Sequence, residues 1–129
     1  MSRTLHRVAW LLAILSTQPS VWGHHSVSAV FDQAKFITVT GTLTKVDWFN
    51  PHIAVIVDVA GTSGVETWKF QSSPPAWWKG VGVNRADFAK ALGQPVTIGA
   101  YPSQDGSRYA YMRKITFANG DSLESTSTR

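Results

Sequence analysis

The chain contains four histidines, and three of them, His24, His25 and His52, offer its clearest chemistry. His24 and His25 are adjacent, and His52 follows Asn50-Pro51. Nitrogen ligands without thiolate suit Cu(II) best, with Zn(II) or Ni(II) behind it. Cysteine is absent, which also removes disulfides and thiol catalysis. If His24 becomes the first residue of a processed chain, its α-amine, with a pKa of about 8, can deprotonate on metal binding. Amine and imidazole of that one residue then chelate a single ion. His52 is the expected further ligand, provided the lead-in folds back over the first strand connection, and His25 ligates or orients the site. The structural alternative is that His25 packs and His52 caps a turn.

Aromatic side chains offer a second kind of site. Trp48, Trp77, Tyr109 and Tyr111, with the polar Asn50, are the ligand-binding candidates. Small β barrels bind strands and sugars by stacking on such rings. The same barrels also need large residues to fill their cores and seal their ends. Trp77 and Trp78 are adjacent, so a regular helix cannot turn both inward, and one is expected near the surface. Arg108, Arg113 and Lys114 interleave with Tyr109 and Tyr111, a pattern that in a cytoplasmic protein suggests a single-stranded nucleic-acid face. Here a solvated strand face is the favoured reading, and no nucleic-acid partner is expected. No nucleophile elbow, phosphate loop, dinucleotide fingerprint or His-Glu-x-x-His helix is present. The eight acidic residues are scattered without a spacing that argues for acid–base work. A non-enzymatic binding module, for a partner protein or a glycan, is the expected function, with copper or other transition-metal binding as the alternative.

The first residues bear on compartment. Arg3, His6 and Arg7 precede an apolar run from Val8 to Leu15, and Thr17-Gln18-Pro19-Ser20 breaks it. Val21-Trp22-Gly23 then presents a small residue at a cut site, the layout of a secretory signal peptide. The run is well short of the roughly 20 residues that span a bilayer, and no second one of that length follows. Removing Arg3 and Arg7 takes the formal charge from +4 to +2, too little to argue for a polyanionic partner. A periplasmic or secreted protein without an integral membrane segment is expected.

Two β runs rich in Val, Ile and Thr, one from Phe36 to Trp48 and one from Ile53 to Val59, organise the remainder. Ile37, Val39 and Leu43 share one phase, but Val46 and Trp48 share the other. Side chains alternate along a strand, so the pattern must slip by one residue after Leu43, which a β-bulge does. Gly41 permits the bend. Ile53, Val55, Val57 and Val59 stay in one phase. A third strand over about 65–72 turns Trp68 and Phe70 inward. Ser73 before Pro74-Pro75 predicts a capped helical turn through Lys79. Asn84 and Asp87 predict a second helix in which Phe88 and Leu92 share a face and which stops at Gly93. Val96, Ile98 and Ala100 mark the fourth strand. Asp105-Gly106 predicts a type I′ hairpin turn into a last long strand over about 108–117. Asn119-Gly120 turns the chain toward Leu123.

The order β-β-β-α-β-β, with a bulged first strand, is that of the OB fold, a five-stranded, partly open barrel. The expected fold class is thus mainly β, a small OB-like five-stranded barrel after a cleaved signal peptide. The expected layout is a signal peptide over 1–23, a lead-in over 24–35, the barrel over 36–124 and a disordered tail over 125–129. Val27, Val30 and Phe31 are the lead-in residues that can pin it to the barrel wall.

Several short segments recur together: His24-His25-Ser26, Thr40-Gly41-Thr42, Lys45-Val46-Asp47-Trp48, Asn50-Pro51-His52, Asp105-Gly106-Ser107 and Ala118-Asn119-Gly120-Asp121. In combination they resemble a family of short exported proteobacterial proteins whose domain has no assigned function. The resemblance spans nearly all of the chain after Gly23. It implies an exported small β domain and supplies no activity or catalytic residue. Gly23, where Ala is usual before the histidine pair, and Phe49, inserted between Trp48 and Asn50, are departures.

Overall fold

Strand β1 (Ile37–Asp47) changes partner along its length, and the barrel follows from that change. Its first half, from Ile37 to Thr42, pairs antiparallel with β4 (Pro95–Pro102). From Thr42 to Asp47 it pairs antiparallel with β2 (Ala54–Gly61). Gly41 sits at the crossover. A side chain there would run into the Asp58 carbonyl oxygen and stand 2.7 Å from Val57 Cγ1. The register shifts between Leu43 and Lys45, so Thr44 is the extra residue of a bulge. Leu43 is fully buried, and Val46 and Trp48 pack against the same core, as the phase slip predicts.

The computed structural model describes residues 27–125. β2 pairs antiparallel with β3 (Gly64–Gln71), and β4 with β5 (Tyr109–Phe117). Parallel pairing of β3 with β5, from Lys69↔Tyr109 to Gln71↔Tyr111, closes the ring β1-β2-β3-β5-β4. The result is a closed five-stranded barrel with OB connectivity. Strand β6 (Ser122–Glu124) pairs antiparallel with Lys114–Thr116 of β5, on the edge opposite β4 and beyond the stretch that pairs with β3. Leu43, Val55, Val57, Phe70, Ile98, Met112 and Ile115 fill the interior at 0% exposure. Each contributes roughly 1.5–3 kcal/mol by leaving water.

Helices α2 (Pro75–Gly80) and α3 (Arg85–Ala89) lie between β3 and β4. The capping box at α3 forms as read: Asn84 Oδ1 accepts the Ala86 N–H, and Asp87 Oδ2 accepts the Asn84 N–H at 2.9 Å. Helix α1 (Val27–Val30) belongs to the lead-in, whose next residue, Phe31, is 2% exposed and bridged to Ser103. The Asp32 N–H donates to the Pro102 carbonyl, and the Gln104 N–H to that of Val30. Among the described residues no helix is long and apolar enough to cross a membrane.

Some details depart from expectation. Ser73 does not cap α2; Pro74 holds the cap position without a side-chain bond, and the Ser73 hydroxyl pairs with that of Ser125 at 2.7 Å. Ser125 is therefore buried, at 1% exposure, and its N–H donates to the Arg113 carbonyl, so the tail does not begin there. Leu92 is 46% exposed. After Ala89 the bonds tighten to three-residue spacing, Ala91 to Phe88 and Leu92 to Ala89, which rotates Ala91 inward in its place. The bond closing the β4–β5 turn runs from the Gly106 N–H to the Ser103 carbonyl, which centres the turn on Gln104-Asp105. Gly106 follows at φ +76°, so this is not a type I′ turn around Asp105-Gly106. A second bulge, at Arg113, moves the inward phase of β5 from Ala110 and Met112 to Ile115.

Candidate functional site

The residues singled out from sequence fall into two aromatic groups. The first surrounds Phe88 of α3. Trp48, half-buried at the end of β1, stands 5.7 Å from the Phe88 ring. Trp78, 1% exposed, meets Phe88 edge-on at 5.5 Å, and Trp77 meets Trp78 at 4.8 Å and 90°. Trp77 is the more exposed of the adjacent pair, as helical geometry requires. The Trp78 indole N–H has no hydrogen-bond partner among the described residues. Such an orphan costs about 1–3 kcal/mol, so the ring is held by its packing.

From this cluster emerges the β1–β2 connection, residues 48–53. It is anchored at both ends. Trp48 packs inward at one end. At the other Ile53 is fully buried, its carbonyl accepting the Ser72 N–H at 3.0 Å. Between the anchors Phe49 is 67% exposed, and Asn50, Pro51 and His52 are exposed too. The Asn50–Pro51 peptide is cis. Phe49 is the residue that sequence reasoning left out of the candidate set. Its signal was alternation: with Trp48 turned in, the next side chain turns out.

The second group surrounds Phe31. Its ring lies 5.0 Å from Tyr109 and 5.7 Å from Tyr111. Tyr111 is 3% exposed, so it is a packing residue with no surface to offer a ligand. Tyr109 is half-buried; its hydroxyl bonds the Gln71 side-chain oxygen, and Lys69 Nζ lies 5.7 Å from its ring centre. Burial raises the pKa of the Tyr109 hydroxyl. The lead-in thus covers the face that Tyr109 and Tyr111 were expected to present. The basic residues nearby are each engaged. Arg108 pairs with Glu66 at 2.7 Å, Lys114 with Glu124 at 3.1 Å, and the Arg113 guanidinium lies over Tyr101. The Arg108 hydrogen bond holds the Glu66 carboxyl below its usual pKa.

Of the three histidines, His24 and His25 lie outside the described residues, and His52 is exposed on the connection. Among the described residues no group of three or more His, Cys, Asp or Glu side chains is placed to hold a metal ion.

No curated protein matches the chain. The model of a family of unknown function (DUF6152) matches residues 12–112, which takes in β1 to β4, both helices between them, the β1–β2 connection and the first part of β5. With most of its length so matched, the chain belongs to the family of unknown function DUF6152.

Proposed function

We propose that this protein is an exported, non-enzymatic binding domain that docks a partner protein through the β1–β2 connection, with Phe49 as the inserted anchor. The observation that carries the reading is a phenyl ring 67% exposed between two anchored neighbours. Exposing a ring of that size forgoes roughly 1.5–3 kcal/mol of burial, which a partner's pocket recovers. The anchors at Trp48 and Ile53 reduce the ordering cost of docking. Asn50 and His52, exposed on the same connection, supply hydrogen-bonding groups. A glycan is the less favoured ligand, because sugars stack on open, flat faces, and Trp48 and Trp77 give much of their surface to Phe88 and Trp78. Export rests on the basic, apolar and small-residue sequence up to Gly23.

The test compares Phe49→Ser with the native protein in affinity capture from the cell envelope, beside a glycan array. Loss of one saturable protein partner with Phe49→Ser, at unchanged thermal stability, supports the reading. Retained capture refutes it, and array binding that depends on Trp77 would replace it with the glycan reading.

A second reading, Cu(II) capture by His24 with His52, draws on the exposure of His52 and the absence of cysteine. Calorimetry should then show copper affinity falling tenfold or more on His52→Ala or on extension before His24. Equal affinity in all three proteins would dispose of it.

A further inference from the structure

Between α3 and the β5–β6 hairpin lies a half-open groove of about 580 Å3. That volume is within the range of small-molecule sites. Val83 and Ala91, each 8% exposed, line it together with the half-buried Phe117 and Leu123. Its charged groups come from two separate elements. Helix α3 and the residue after it bring Asp87 and Lys90, and the β5–β6 turn brings Asp121.

Asp87 Oδ2 accepts the capping bond from Asn84, while its Oδ1 stands 3.8 Å from Lys90 Nζ, beyond hydrogen-bond length. Lys90 is 79% exposed along its side chain, so little holds it there. Asp121 Oδ2 accepts one bond, from the Asn119 amide at 2.8 Å. Two carboxylates therefore line the groove beside one loosely held ammonium, a local charge of −1 in a chain whose formal charge is +4, or +2 without Arg3 and Arg7. The groove is a locally negative, partly apolar recess.

We infer that this groove binds a small organic cation, an ammonium or guanidinium group carried on an apolar stem. The stem displaces water from Phe117 and Leu123, and the cation takes the unused lone pairs of Asp87 and Asp121. An anion of the same shape meets net negative charge and is rejected. The groove is open to solvent, so affinity is modest and falls with salt. The site is separate from the β1–β2 connection, and neither reading depends on the other.

The probe is phenethylammonium, followed by amide chemical shifts in the purified protein, with 2-phenylethanol and 3-phenylpropionate as neutral and anionic counterparts. Shifts should centre on Gly82, Ala91 and Leu123. The cation should bind about fivefold tighter than the alcohol, the upper end for an exposed charge pair. Asp121→Asn should abolish that preference, and Asp87→Asn, which keeps a capping oxygen, should reduce it. Equal binding of amine and alcohol, shifts centred elsewhere, no binding at millimolar concentration, or an unchanged preference in both variants would each overturn the assignment.

Discussion

Replacing Gly41 by Ala tests the partner switch in β1 on which the barrel depends. The added methyl would overlap the Asp58 carbonyl oxygen, approach Val57 Cγ1 to 2.7 Å and reach the Asp58 carbonyl carbon at 3.0 Å. Two of these three atoms are backbone. Asp58 is held by Thr42 on one side and Thr67 on the other, so it cannot step aside without breaking pairs. Overpacking a tight site costs typically 1–3 kcal/mol, and rigid neighbours place this substitution near the top of that range. For a domain of this size a loss of about 2–3 kcal/mol lowers the melting temperature by on the order of 10–20 °C. Urea unfolding followed by tryptophan fluorescence should show a lower midpoint with an unchanged slope. Gly80→Ala is the control. Nothing lies within 4 Å of a methyl there, so the effect should stay within about 1 kcal/mol and favour stability. A Gly41→Ala protein within about 0.5 kcal/mol of the native one would refute the crossover geometry.

Two further outcomes are expected. The Asp105 carboxyl is held at about 2 by hydrogen bonds from Ser107, first, and from Ser103. With its pKa depressed on folding, its stabilising contribution is present above the unfolded value near 3.9 and is lost as pH falls through about 2. Carbon-13 NMR titration should show that low midpoint, and one near 3.9 would contradict the turn geometry. Separately, protein recovered from its native host should begin at His24 by mass spectrometry, and protein retaining Met1 in the cytoplasm would contradict export.

Much of the barrel was legible because burial writes itself into alternation. The slip between Leu43 and Val46 pointed to the bulge, and the positions of Ile53, Val55, Val57, Ile98 and Ala100 follow from period two. The bulge at Arg113 had the same signature, two polar residues between Met112 and Ile115, and passed unread because charged pairs are ordinary on strands. Local rules failed where distant contacts won. Ser73 gave up capping for Ser125, 52 residues away. Tyr111 looks like a ligand ring in the sequence because no sequence spacing shows that Phe31 folds over it. The groove beside α3 joins residues from α3 and the β5–β6 turn, which only the closed barrel brings together.

On the proposed reading, Phe49 presents the docking surface. A photoreactive benzoylphenylalanine placed at position 49 in living cells tests it most directly, with Val65, 72% exposed on β3, as the control site. Irradiation should give one discrete, protease-sensitive adduct from position 49 and none of that mass from position 65. Absence of an adduct at 49, or the same adduct from both positions, would contradict the account.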